Sequence, residues 1–412
     1  MTTLALSEIL GLPVYDSAGR AGRVRELAVV PQEDPTKVAA LIVRTSEGDR
    51  LLMGDGLLSV NGGVRSRTAR AEWHTFGSSE GMLLLGRDLL DQQIIDVNGR
   101  KVERVNDIGL EIEHLAGGVY LKVSSVDAGP RGAVRRLLKD LVPRAPLTRL
   151  TDTIPARRIP WGFVNLIETD PSRRVRLKIS GDRVGKLHPA DIADIIEDLA
   201  PAEREAVFQS LDEETAAETL EEIDPKLQVR LVNSLDSGRA ADIVEEMDPD
   251  AAADLLGDLT PERSNEILHE MEPEERQDVQ DLLEFEDDTA AGRMTTDYMA
   301  LHPHARVADA VEMLRKFEGG LESMSTIYLI GEGEKLVGAV PLAMLVLSPA
   351  DTRLNTLALD PLISCSPEAD ESEVAEIFDK YNLLTLPVVD EEGALTGVIT
   401  ADDVISILRA KI

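Results

Sequence analysis

The sequence predicts a multidomain α+β chain: small β-barrels in front, an α-helical superhelical repeat domain in the middle, and a C-terminal pair of α+β units. Three observations predict it. A β-rich front end echoes itself at a spacing of 80 residues, an acidic segment repeats every 24 residues, and two similar helix–strand–strand units close the chain. Fixed-period self-similarity marks stacked repeats. At roughly 150 residues per domain, the 412 residues suggest two to four domains.

The front end consists of short β-prone runs such as AALIVRTS and GVYLKVSS, broken by Gly, Asp and Asn. Asp16, Gly19 and Arg20 align with Asp96, Gly99 and Arg100. The physics is a hairpin in which Asp opens the turn and Gly supplies a positive φ. This pattern resembles the PRC-barrel, a small adaptor barrel. It implies one β-domain over 1–80 and a second β unit over 81–128. Two unrelated β-domains with common turns would give a similar pattern.

Residues 129–185 read as a basic connector. The run GAVRRLLKDLV (132–142) suits a short amphipathic helix with Arg135, Arg136 and Lys139 facing water. Its charge is expected to pair with the acidic neighbour in preference to anionic lipid.

The formal net charge is −33, and it is not spread evenly. Residues 1–128 carry −4, 129–180 carry +8, 186–293 carry −25 and 294–412 carry −12. Nucleic acid wants cationic grooves and aromatic platforms, and this acidic chain has only 13 Phe, Trp and Tyr. Cations and basic partner surfaces suit it better.

The acidic segment, 186–293, holds four 24-residue copies, beginning at His188, Asp212, Asp236 and Thr260. Pro201, Pro225, Pro249 and Pro273 coincide in that register, as do Leu211, Leu235, Leu259 and Leu283. Each copy predicts two short helices, the second opening with Pro at its first position. Ala200, Asp224, Asp248 and Glu272 take the cap position in turn. Helices this short need neighbours to bury their apolar stripes. Asp198, Glu222, Glu246 and Glu270 share one outer position and would form a ladder when the copies stack. Each alone is ordinarily a solvated surface charge. Together they are candidate ligands for a hard divalent cation, since Mg²⁺ is held by one or two carboxylates plus water.

The closing units, 294–350 and 351–412, each run helix, strand, turn, strand. They resemble a pair of cystathionine β-synthase (CBS) domains. In nucleotide-binding members a Gly-hydrophobic-hydrophobic-Thr/Ser-x-x-Asp run carries the ligand, and the second unit has it as Gly397, Thr400 and Asp403. A helix N-terminus can meet phosphate and a carboxylate can accept from ribose hydroxyls. The first unit has Pro341 and Met344 at the matching positions, so one nucleotide site is expected. The ordinary alternative makes Thr400 a cap and Asp403 a first-turn acid.

With the acidic repeats, the run DTAAGRMTTDYM (288–299) and the stretch Tyr381–Val404, residues from about 186 to 408 resemble the cytosolic part of MgtE-type magnesium channels. The resemblance implies Mg²⁺ sensing, in which bound Mg²⁺ draws acidic surfaces together, with Asp402 and Asp403 joining the repeat acids as ligands. It also implies a homodimer through the CBS units, and ATP or another adenine nucleotide as a second ligand.

The sequence up to Ile412 offers no pore segment, and its most apolar run, Leu336–Leu347, is too short to span a bilayer. The chain is therefore expected to be a cytoplasmic Mg²⁺-responsive regulator, peripheral to a membrane transporter or another unidentified protein partner. The competing readings are an adenine-nucleotide-sensing adaptor and a purely structural adaptor. No Walker loop, HExxH or dinucleotide fingerprint supports an enzyme. Cys365 reads as a packed residue and His302/His304 as an exposed loop.

Overall fold

The computed structural model describes residues 2–115, 117–138, 154, 156–168, 170, 183–283, 285, 288–317 and 323–410. The chain divides into two compact units, Met1–Thr215 and Ala216–Ile412.

In the first unit the predicted hairpins form. Pro13–Asp16 pairs antiparallel with Gly19–Val29, and Gln93–Asp96 with Lys101–Arg104. Asp16 accepts from the Ala18 amide at 2.8 Å, and Asp96 from the Gly99 amide at 3.0 Å. The two turns differ in which residue takes the positive φ. Gly19 does so in the first, but in the second it is Arg100, at +50°. Gly99 is needed for a different reason: a Cβ there would lie 2.5 Å from the Asp96 carboxylate.

In place of the two expected small barrels, the described residues show linked sheets with no closed barrel among them. Seven strands of an eight-stranded sheet run in order from Leu57–Val60 to His74–Thr75, with Leu83–Leu84 off that path. Beside it lie a four-stranded and a three-stranded sheet. Strands cross between the two copies. Thr2–Ala5 pairs with Asp107–Leu115, and Leu83–Leu84 pairs with Gly19–Val29. One hydrophobic core therefore runs from Leu6 to Val164, with Val14, Leu27, Leu41, Leu110 and Leu121 fully enclosed. Exchanging strands buries apolar faces that two separate 40- to 80-residue barrels would leave thinly covered.

The basic connector also departs from a plain linker. Arg158–Pro160 extends the sheet beside Gly118–Asp127, and Val164–Leu166 pairs with Gln93–Asp96. Ile159 and Val164 are buried there. The helix forms over Pro130–Leu138, but its arginines do not simply face water. Arg135 reaches the fully buried Asp107 at 3.3 Å, and Arg136 pairs with Asp91. A buried carboxylate requires a nearby donor or counter-charge, and that requirement turns Arg135 inward. Lys139 and the remainder of the predicted helix lie outside the described residues.

The four repeats give eight helices, from Pro189–Asp198 to Pro273–Leu282. The division between units falls inside the helix Glu213–Glu221. The first residue of each copy caps its first helix. His188 Nδ1 accepts from Ala190 N, Asp212 from Thr215 N, Asp236 from Arg239 N and Thr260 from Arg263 N. At the second cap only Asp224 accepts with its side chain, from Lys226 N at 3.1 Å. Asp248 and Glu272 make no such bond. Their backbone amides instead donate to Glu221 and Glu245, one copy earlier. Ile243, Val244, Leu255 and Leu256 fill the seam between helices.

The C-terminal units follow the predicted order. In the first, Met299–Leu301, Thr326–Ile330 and Leu336–Pro341 form a three-stranded sheet with helices Val307–Leu314 and Leu342–Val346. In the second, Thr385–Val389 pairs with Leu395–Thr400, flanked by helices Glu371–Tyr381 and Ala401–Ala410. Tyr328 joins them. Its hydroxyl donates to Thr385 at 2.7 Å while its ring packs with Ala339, Leu395 and Val398. Cys365 is buried, and burial pushes its thiol up to about 12, so it is packing rather than a nucleophile. His302 and His304 are exposed, as expected.

Leu256→Ala should lower the stability of the repeat domain by about 2–5 kcal/mol through the cavity it leaves. Glu246→Gln, on the exposed face, should change it by less than about 0.5 kcal/mol. Denaturant titration followed by circular dichroism measures both.

Candidate functional site

The repeat helix Pro249–Asp258, the junction 290–297 and the second C-terminal unit come together within the second unit of the chain. Asp250 and Asp254 stand one helical turn apart on that repeat helix, the i, i+4 spacing that puts side chains on one face. Asp402 and Asp403 occupy the first turn of the helix Ala401–Ala410. Arg293 lies in a short 3₁₀ turn, Ala291–Arg293.

Asp250 and Asp403 interact directly through their charges. Burial raises the Asp250 carboxyl well above the usual range, and the negative charge of Asp403 raises it further, with smaller pushes from Asp248 and Asp254. Asp403 is pushed up to about 6, chiefly by burial. Its bond from Thr400 and the Arg293 charge oppose the rise, and Asp402 adds to it. A negative charge near a second carboxyl makes that carboxyl more costly to ionise.

Arg293 reaches both sides of this contact. Its Nη1 lies 3.0 Å from Asp254 of the repeat helix, and its Nη2 lies 3.3 Å from Glu371, the first residue of the helix Glu371–Tyr381. A second like-charged approach lies close by in sequence. Asp297 of the junction is raised by burial and by Asp278 of the last repeat helix.

The nucleotide-type residues are held tightly. Thr400 is buried, and both its hydroxyl, at 2.6 Å, and its amide, at 3.1 Å, donate to one oxygen of Asp403. Gly397 carries no side chain because Met294 occupies the space, its Sδ only 2.5 Å from where a Cβ would stand. Met294 belongs to the junction, so Gly397 and its neighbour Thr396, whose hydroxyl lies 3.7 Å from the Met294 Sδ, couple the motif to the segment bearing Arg293.

The sequence-derived metal candidates are distributed differently. Asp198, Glu222, Glu246, Glu270 and Asp402 are exposed, while Asp403 is half-buried beside Asp250. Among the described residues no three His, Cys, Asp or Glu side chains form a metal-holding group. The two-carboxylate arrangement of Asp250 and Asp403 still suits a hard divalent ion that retains several waters. Sequence reasoning did not single out Asp250, Asp254 or Arg293. A signal was present: the third copy alone combines Asp at the cap, Asp two residues later and Asp four residues after that.

The acidic helical repeat and the second C-terminal unit thus meet through ionisable groups, Asp250, Asp254, Arg293, Glu371 and Asp403. Residues 187–288 match the profile of the MgtE intracellular N domain, and residues 355–410 match that of the CBS domain. This region of the chain is homologous to the cytosolic part of MgtE-type magnesium channels. The magnesium transporter MgtE of Thermus thermophilus is 33% identical over 136 residues, which is 33% of this chain and 30% of that protein. The matched stretch thus spans about a third of that relative's length. The solved cytosolic domain of the Mg²⁺ channel MgtE in complex with ATP is 29% identical with a TM-score of 0.53, covering 57% of this chain and 95% of that one. The soluble part of a magnesium transporter is 25% identical with a TM-score of 0.53, covering 56% and 91%. No helix among the described residues is long and apolar enough to cross a membrane.

The raised carboxyls fix a pH dependence. A folded pKa above the unfolded value means that the folded chain holds more protons between about pH 4 and about 6, so stability falls as pH rises through that window. In chelator, Asp403→Asn should leave the melting temperature nearly unchanged near pH 3.5 and raise it near pH 7.5. An equal difference at both pH values would remove the charge pair as its cause.

Proposed function

We propose that the chain is a Mg²⁺-responsive regulatory protein whose sensing contact is the approach of Asp250 to Asp403. The observation that carries this reading is the placement of two half-buried carboxylates, one from the acidic repeat and one from the second CBS unit, near enough that the charge of Asp403 makes Asp250 harder to ionise. Bound Mg²⁺ would supply the charge that lets both stay ionised at neutral pH. Without it, repulsion favours separation of repeat and CBS helices. With it, Asp250 and Asp403 are held together, and Thr400 keeps the Asp403 carboxylate aimed. Asp198, Glu222, Glu246, Glu270 and Asp402 act as an exposed counter-ion surface that concentrates divalent ions, and Asp278 with Asp297 forms a second place of charge relief.

The partner readings follow from the same module. Val346, Leu347 and Ile405 expose 80%, 80% and 64% of their surface on the two CBS-unit helices, which suits a homodimer through the CBS pair. A membrane transporter is the protein this module would regulate, since the solved relatives are described as parts of magnesium transporters and channels. The β-rich front end serves as the adaptor.

A second reading rests on Thr400 and Asp403. A related cytosolic domain is described in complex with ATP, and Gly397, Thr400 and Asp403 would hold an adenine nucleotide here. Asp403 serves both readings, so nucleotide and metal compete for it or bind together.

Calorimetry on the full chain tests both. Mg²⁺ binding should weaken at least about tenfold in Asp250→Asn and Asp403→Asn. Neutralising Asp198, Glu222, Glu246 and Glu270 together should shift the apparent affinity mainly at low salt, as screening of exposed charge requires. Equal Mg²⁺ affinity in wild type and the Asp250→Asn/Asp403→Asn double variant would overturn the sensing contact. Loss of ATP binding in Asp403→Asn but not in Asp250→Asn would assign the site to nucleotide instead.

A further inference from the structure

Arg293 stands where a sensor of this design needs a cation, and it is covalently part of the chain. Its two guanidinium nitrogens reach opposite sides of the contact, Asp254 of the repeat helix at 3.0 Å and Glu371 of the second CBS unit at 3.3 Å. It also acts on the charge of Asp403. The planar fork is suited to bridging two carboxylates at once, and it stays charged at every physiological pH. Its backbone is fixed by neighbours on both flanks. Ala290 and Ala291 donate to the carbonyls of Ala369 and Pro367, and Thr295 pairs with Val398. The arginine therefore projects from a segment already anchored to the second CBS unit, and Glu371 lies two residues past Ala369 on the same side. The reach to Asp254 is the one arm that crosses to the repeat helix.

We propose that Arg293 is a built-in latch: a tethered cation that holds the repeat helix Pro249–Asp258 against the second CBS unit when no metal is bound. This rests on reading the Asp250–Asp403 contact as the sensing element, and it states how that contact is biased. A chain carrying the latch starts partly closed. Mg²⁺ then deepens an existing closure instead of creating it, and the Mg²⁺-dependent change is smaller than the acidic charge alone would give. An equilibrium that already favours one state leaves a ligand little population to shift.

The test uses the full chain and limited proteolysis of the segment 284–290 together with hydrogen exchange in the helix Pro249–Asp258, in chelator and in saturating Mg²⁺. In chelator, Arg293→Leu should be cleaved and exchange about tenfold faster than wild type, the order of one or two partly exposed ion pairs. In saturating Mg²⁺ the difference should largely close. Arg293→Lys should recover part of the protection. Glu371→Gln, which keeps the arginine and cuts only the arm that stays on the CBS side, should have a smaller effect than Asp254→Asn, which cuts the crossing arm. Equal rates for wild type and Arg293→Leu in chelator overturn the latch. So does a tenfold difference that persists while Mg²⁺ protects both proteins by the same factor, because that is general destabilisation. If Mg²⁺ alters neither protein while the chelator difference stands, the latch holds and the metal reading fails.

Discussion

Two carboxylates that should avoid each other, Asp250 and Asp403, are held together by the packing around them. Much of the second unit serves that contact. The repeat helix Pro249–Asp258 is positioned by apolar burial of Leu255 and Leu256, and the helix Ala401–Ala410 by the strand Leu395–Thr400 that leads into it. Neither element depends on the charge pair for its own fold. Apolar packing can therefore bring like charges into proximity, and their repulsion remains available as a term that a cation modulates. In bulk water such a pair costs about 1 kcal/mol at 4 Å, and more where solvent is partly excluded.

The repeats divide their acids between two jobs, and the division is positional. Glu221 and Glu245 accept a backbone amide from the following copy, Asp248 N and Glu272 N. Such bonds stitch one copy to the next and satisfy a helix-entry donor that would otherwise need water. The next residue along, Glu222 or Glu246, points to solvent. These acids stand at or just past the C-terminal ends of their helices, where one place along the chain separates an acid that takes a backbone amide from an exposed one. The large negative charge of the segment is thus partly consumed by its own architecture before any ion arrives.

This division explains what was legible in the sequence. The 24-residue period, the proline positions and the order of the closing units follow from local patterning, and local patterning survives in one dimension. The domain likeness over 187–288 and 355–410 was legible for the same reason. The exposed position of Asp198, Glu222, Glu246 and Glu270 also agrees with their place on an outer face. What the sequence hid were relations between distant segments. The meeting of Asp250 with Asp403 joins residues separated by most of the CBS pair. The exchange of Thr2–Ala5 into a sheet with Asp107–Leu115 likewise joins distant strands. The inward turn of Arg135 depends on Asp107 being buried, which no periodicity of the helix Pro130–Leu138 reveals. In each case a local rule was correct and a long-range demand for burial or charge compensation overrode it.

Asp403 carries more than one demand, and this limits how the site can behave. Thr400 gives the carboxylate two donors on one oxygen, Oδ2. A ribose needs to donate to this carboxylate, and a metal needs it deprotonated. Both are disfavoured while Asp403, whose carboxyl burial pushes up to about 6, is protonated. A ligand that draws on Asp403 therefore binds best where that carboxylate is ionised. Arg293 favours the ionised form of Asp403 while its other contacts keep the surfaces together. The sensing residue and the latch are consequently not independent, since removing the arginine both loosens the contact and makes Asp403 harder to ionise.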